Sequence, residues 1–206
     1  MPYFTHLHVH SHFSILDGMS KVPDLIKKCK KNGMYAMALT DHGNMYGIKE
    51  LVDNVKKENG KVKDQIKDAE AEKAKIEALI KAVESGEPQS EPSQDENATP
   101  PLTLEELQTK LMELNAQVES LKQQIFKPII GIESYCAHRT LYDKDSNVKE
   151  YDPETGRERI MDRSGWHIIL LAKNKQGYRN LCKLSSIAFT EGFFYNPRID
   201  HNLLEQ

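Results

Sequence analysis

Outside its middle third the chain alternates short apolar runs with amphipathic stretches, and the period of the apolar positions changes from one to the next. Residues 5–9, Thr5-His6-Leu7-His8-Val9, alternate polar and apolar and predict a strand. Residues 23–31 predict a helix that ends at Asn32-Gly33, 35–39 a strand, and 46–58 a second helix. Pro128 opens a strand over 129–135, 166–172 is another, and 175–189 is amphipathic with a helical period. The order β-α-β-α, insertion, β, loop, β-α predicts an α/β fold with a parallel sheet, and chemistry at the C-terminal ends of the strands suits a barrel. The polar stretch 138–164 contains Asp152-Pro153-Glu154-Thr155-Gly156, the turn of a predicted β-hairpin.

The middle of the chain follows a different rule. Val62, Ile66, Ala69, Lys73, Ile76, Ile80 and Val83 keep a heptad spacing, and so do Leu104, Leu107, Leu111, Leu114, Val118, Leu121 and Ile125. Folded back on each other, the two seams pair Val83 with Leu104 and so on to Val62 with Ile125. That mirror register is what an antiparallel helical hairpin requires. Residues 60–127 therefore read as a helical-hairpin insertion in a domain spanning 1–206. Thr103 and Glu106 offer a capping box for the second helix. The tip, residues 85–102, is rich in Pro, Ser and Glu and is expected to be disordered. Such an arm is either a solvated surface element or a protein-docking device.

Charge sharpens this division. Residues 61–127 carry 9 Lys against 14 Asp and Glu within a chain whose formal net charge is -3, so any polyanion contact is expected outside the insertion. Cys29, Cys136 and Cys182 lie far apart without C-x-x-C spacing, which excludes a disulfide framework and a zinc knuckle and points to a reducing, cytoplasmic setting. Neither a long apolar run nor a signal-peptide pattern is present, so no membrane association is expected.

The candidate chemistry lies at the edges of the apolar runs. His8 and His10 are two residues apart, the spacing that puts two imidazoles on one strand face and lets them converge on a metal. Asp17, His42, Glu133 and His167 are further ligand types in comparable positions. Imidazole and carboxylate ligands suit zinc, with manganese or iron as alternatives, better than magnesium or calcium. Glu133 has two oxygens and is placed between centres. His6 and His12 read as strand-face or outer-shell residues, and His138 and His201 as surface histidines. Asp41 either orients its neighbour His42 or caps the next turn, and the cysteines read as small core residues.

At these positions the sequence resembles the PHP (polymerase and histidinol phosphatase) family, in its replicative DNA polymerase branch. The resemblance rests on Leu7-His8-Val9-His10-Ser11 with Leu16-Asp17-Gly18, on Leu39-Thr40-Asp41-His42-Gly43-Asn44, on Gly131-Ile132-Glu133, on His167, and on Pro197-Arg198-Ile199-Asp200. It covers residues 1–58 and 127–206 and leaves the hairpin outside. It implies a distorted (β/α)7 TIM-like barrel with up to three divalent metals: one on His8, His10 and Glu133, one on Asp17 and His42, one on Glu133 and His167. It also implies that the chain is a fragment, ending partway through the barrel with at most six of nine expected ligands and self-associating through its unfinished sheet. The longer protein would be a DNA-directed DNA polymerase acting in replication with DNA and other replisome subunits as partners. Its PHP domain would be a metal-dependent phosphoesterase, a 3'-5' exonuclease or pyrophosphatase. The alternatives are a catalytically silent, metal-stabilised interaction module and a stand-alone phosphatase acting on a compound such as histidinol phosphate.

Overall fold

The computed structural model describes residues 4–85, 102–163 and 165–205. The tip for which disorder is expected falls outside them between 86 and 101. Two compact units emerge, Lys57–Ile125 and the remainder.

In the larger unit, helix α1 (Val22–Lys31) starts with Pro23 in its first turn, where a missing N–H costs nothing, and carries Asp24 there and Lys28, Lys30 and Lys31 in its last turn, matching the helix dipole. Asn32 caps it and Gly33 follows with φ 73°, the left-handed conformation that glycine adopts without strain. Strand β1 (Ala36–Leu39) is buried throughout. Val22, Ile26 and Cys29 of α1 pack with Met37, Leu39, Ile48, Leu51, Val55 and Phe126 in one core. The predicted strand over 5–9 is not a regular strand: only His6 forms a bridge, with Met37. The segment nevertheless follows β1, since the Ala38 and Thr40 amides donate to the His6 and Val9 carbonyls at 2.8 and 2.9 Å. The Thr40 hydroxyl adds a contact with the Val9 amide at 3.1 Å, which competes with ladder geometry.

Strand β2 (Lys127–Ala137) is the spine of a mixed sheet. β1 pairs with its first half in parallel, from Ala36 opposite Lys127 to Leu39 opposite Ile130. Strand β5 (Gly165–Leu171) runs antiparallel to it, with Tyr135 opposite His167, and β6 (Arg198–Ile199) pairs in parallel with Tyr135 and Cys136. The fully parallel sheet expected from the element order is thus corrected. A parallel return needs a crossover over the sheet face. The chain between β2 and β5 instead forms the hairpin β3 (Lys149–Asp152) and β4 (Arg157–Ile160), followed by one 3-10 turn, Met161–Arg163. Gly156 takes φ 67° in that hairpin turn. Helix α4 (Lys175–Thr190), capped by the Asn174 side chain on the Gly177 amide, and the short α5 (His201–Leu204) complete the unit.

Helix α2 (Ile48–Glu84) replaces two expected helices by one of 37 residues. The apolar stripe is interrupted at Asn59, which is buried on the seam, and Gly60 follows; neither residue breaks a helix that has good formers on both sides. In the smaller unit, Ala69 and Ile76 of α2 and Leu107, Leu114 and Val118 of α3 (Leu104–Gln123) share one buried cluster. Glu72 meets Lys110 at 3.0 Å. The Thr103–Glu106 capping box is formed in both directions.

A Cβ added at Gly60 would meet nothing within 4 Å. Gly60→Ala is therefore expected to raise the stability of the chain by about 1 kcal/mol, the ordinary helix-propensity difference. Urea denaturation checks this, and an unchanged or lower midpoint would show that the helix needs the glycine.

Candidate metal centre

All six sequence-designated ligand residues converge at one end of the sheet. The loop after β1 pairs on with β2: the Glu133 amide donates to the Asp41 carbonyl at 3.2 Å and the Gly43 amide to the Glu133 carbonyl at 2.7 Å. This puts His42 directly beside Glu133. His167 lies near the start of β5, not the end of a strand. Because β5 is antiparallel, its start shares an end of the sheet with the later part of β2, and the His167 imidazole reaches Glu133 at 3.2 Å.

His8, His10 and Asp17 come from the irregular N-terminal segment, and Asp41 holds that segment in place. Its buried carboxylate accepts from the Ser11 amide at 2.7 Å, the Ser11 hydroxyl at 2.9 Å and the Ser14 hydroxyl at 3.1 Å. Ser14 in turn accepts from the His42 amide at 2.9 Å. Asp41 thus neither touches the His42 ring nor caps the next turn; it ties the 11–17 loop to β1. Leu16, with φ 74° and fully exposed, immediately precedes Asp17. Gly18 is required here, since a Cβ would stand 2.3 Å from the Ser11 carbonyl oxygen.

The six side chains form three overlapping groups: His8, His10 and Glu133; His10, Asp17 and His42; His42, Glu133 and His167. Within each group the ligand atoms lie within 4.8 Å of one another. Glu133 is buried and divides its oxygens, one toward His8 (3.7 Å) and His167, the other toward His10 (2.8 Å) and His42 (3.4 Å). His8 and His167 are each 47% exposed at the side chain, so the cluster opens to solvent. His42 Nδ1 lies 2.5 Å from Asp17, and this bond holds the Asp17 carboxyl below the usual carboxylate range, with His10 and His167 adding to it.

The donor set fits a divalent metal on a specific observation. His10 Nε2, His42 Nε2 and Glu133 Oε2 are buried with no hydrogen-bond partner. Buried polar atoms are ordinarily satisfied, so the unpartnered Nε2 of His10 and Oε2 of Glu133, which approach each other, suit a shared cation. The His10–Glu133 approach of 2.8 Å is an ion-pair distance without hydrogen-bond geometry. Outside the ligands, the Thr40 hydroxyl meets His8 Nδ1 at 2.8 Å and leaves Nε2 free to face Glu133. Tyr135 stacks on His42 and meets His167 edge-on. Burial, with Glu133 and Asp17 nearby, pushes its phenol up. Neither Thr40 nor Tyr135 stands out as a candidate from sequence; only the position of Thr40 two residues before His42, and of Tyr135 two after Glu133, could have flagged them.

The remaining histidines divide. His12 approaches Glu50 at 3.8 Å and His201 is exposed beside Glu205. His138, expected on the surface, is corrected: its ring is 9% exposed, between Glu150 at 3.4 Å and the Trp166 ring. Cys29 is buried, while Cys136 and Cys182 are half-buried.

The fold and the cluster together define an α/β domain with candidate metal-binding groups, and the family model of the PHP domain matches residues 6–206. The chain belongs to the PHP family. It is similar to the DNA polymerase III subunit alpha of Aquifex aeolicus (29% identical), of Borreliella burgdorferi (33%) and of Chlamydia pneumoniae (32%). These alignments take in 98%, 98% and 97% of the chain and 11%, 11% and 10% of the respective relatives, so the chain spans about a tenth of their length. Among the described residues no helix is long and apolar enough to cross a membrane.

Proposed function

We propose that the cluster is a divalent-metal phosphoesterase centre, and that the chain is the N-terminal PHP region of a bacterial replicative DNA polymerase alpha subunit. The sharing of His10, His42 and Glu133 among three ligand groups carries this reading. Six residues shared among overlapping groups cannot close three ions and leave positions for water and substrate, the pattern of catalytic sites, whereas structural zinc is closed by four protein ligands. Zinc is the first expectation, with manganese or iron as alternatives. When bound, such ions lower the pKa of water and neutralise phosphoryl oxygens. The chain's own part is to hold Glu133 dry between the imidazoles, to keep Asp17 ionised through His42, and to leave His8 and His167 accessible to a phosphate ester. The substrates that follow are the 3' end of a DNA strand or pyrophosphate.

On this reading residues 1–206 are the first part of a distorted (β/α)7 barrel and 60–127 an antiparallel helical hairpin inserted in it, a solvated surface element or a docking arm. DNA and other replisome subunits in the cytoplasm are its partners, and DNA polymerisation belongs to the longer protein. Strand β5 is an edge of the described sheet, and such an edge favours self-association of the chain as it stands.

Elemental analysis of this chain and of one extended to the relatives' full length, with a phosphodiester assay alongside, tests the proposal. The expected result is bound metal in both and hydrolysis in the extended chain that His8→Ala with His10→Ala removes. No metal in either, or full metal-dependent hydrolysis in the double variant, overturns it.

A further inference from the structure

We infer that Tyr135 is a positioning residue that fixes His42 and His167 as a pair, so that the two ligand groups containing His42 depend on its ring while the His8–His10–Glu133 group does not. This rests on the metal reading above and adds to it a residue outside the ligand set.

Metal-binding histidines ordinarily have their second ring nitrogen held by a group outside the coordination set, and losing that partner costs roughly 10–100-fold in metal affinity. His8 follows the rule through the Thr40 hydroxyl. His42 meets Asp17 and Glu133 through Nδ1 alone and its buried Nε2 has no hydrogen-bond partner among the described residues, while His167 meets Glu133 through Nδ1. Packing replaces the missing bond. The Tyr135 and His42 ring centroids are 4.7 Å apart at 28°, a stacked pair, and Tyr135 meets His167 at 4.9 Å and 89°, edge to face. His42 and His167 are themselves 4.6 Å apart at 75°. Three rings in mutual contact leave little room for rotation of any one.

The backbone explains why position 135 serves. Side chains two apart on a strand share a face, so Tyr135 stands beside Glu133 on β2, and it is the direct cross-strand partner of His167. On the other side the loop after His42 closes on the ring. Gly43 has φ 68°, which favours glycine, and a Cβ there would stand 3.5 Å from Tyr135 Cε2, an ordinary contact distance that shows how closely the loop lies on the ring.

The test is a zinc titration of the chain followed by imidazole 15N resonances, comparing wild type, Tyr135→Leu and Tyr135→Phe. His8 belongs only to the first group and His167 only to the third, so they report separately. In Tyr135→Leu, His42 and His167 are expected to respond at ten- to hundredfold higher zinc than in wild type. His8 responds as before, and Tyr135→Phe restores the wild-type order. An unchanged response of His167 in Tyr135→Leu overturns the inference while leaving the metal reading intact, and so does an equal shift of all four histidines, which would mean that the ring serves only the fold. If no wild-type histidine responds, the metal reading itself fails and takes this one with it. Tyr135→Met supplies the flexible replacement should leucine prevent folding. Independently, the wild-type His42 and His167 ring protons must show the ring-current displacement of a neighbouring aromatic; random-coil positions overturn the inference without any variant.

Discussion

Glu133→Gln is expected to abolish stabilisation of the chain by zinc while leaving its metal-free stability close to that of wild type. Glu133 belongs to two of the three ligand groups and is the carboxylate on which four imidazoles converge. Glutamine keeps the shape and removes the anion, and metal affinity depends on deprotonated, charged ligands. A ligand that binds only the folded form at a hundred times its dissociation constant adds about 2.7 kcal/mol. The wild type should show a rise of that order in a melting experiment with zinc, and the variant little or none. Without metal the substitution is mild, because a buried carboxylate oxygen with no hydrogen-bond partner is itself a cost, and an amide is cheaper to bury than a charge. An equal zinc-dependent rise in both proteins would show that Glu133 is not a ligand.

Arg198→Lys should be among the most destabilising single changes, although it keeps the charge. Arg198 is fully buried, and its guanidinium donates to four carbonyls: Gly192 from Nε at 3.1 Å, Asp162 from Nη1 at 2.6 Å, and Leu141 and Asp143 from Nη2 at 3.1 and 2.9 Å. These acceptors come from three separate stretches of chain, so one side chain ties the β2–β3 loop, the 3-10 turn and the end of α4 to β6. Burial pulls the guanidinium below its usual range, and Asp162 and Asp143 partly offset this. Asp162 is also held by Arg139 in a two-nitrogen contact and by the Asp145 amide at 2.9 Å. Lysine presents three donors at one point and cannot span the fork. Carbonyls left buried and unpaired cost roughly 1–3 kcal/mol each, and breaking a buried charged network about 3–5 kcal/mol in all. Against a typical total of about 5–15 kcal/mol, that is a large share. Chemical denaturation would read it directly; a loss under about 1 kcal/mol, the value of a single ordinary hydrogen bond, would mean the carbonyls find other partners.

The two residues behave oppositely as sequence signals. Glu133 stands out in an apolar strand, where a lone carboxylate is unusual, and its two oxygens argue for a shared ligand on chemistry alone. Arg198 is an isolated basic residue after an aromatic stretch, Phe193-Phe194-Tyr195, and nothing in that spacing marks it as buried. Burial and a set of four carbonyls are properties of its surroundings, which local sequence does not encode. Tyr135 is similar: an aromatic residue in a strand is ordinary, and only the antiparallel register that sets it opposite His167 gives it two imidazoles to hold.

What the sequence determined by itself was whatever depends on neighbours a few positions away. The heptad seams, the Thr103–Glu106 cap, the Gly33 helix stop, the Asp152–Gly156 turn and the identity of the ligand-type residues all follow from local spacing and local chemistry. Tertiary structure decided the rest. The N-terminal segment is not a regular strand because Thr40 takes up a backbone amide that strand pairing would use. β5 is antiparallel because the connection before it is a hairpin rather than a helical crossover. α2 is one helix because a buried Asn59 and a single Gly60 are cheap beside 37 residues of helical hydrogen bonding. The first outcome turned on a distant polar partner, the second on how the chain between two strands folds, and the third on how little two residues cost within a long helix. Hydrogen-bond partners and ring contacts that lie thirty or more residues apart are set by the packed fold, and no short-range pattern along the chain contains them.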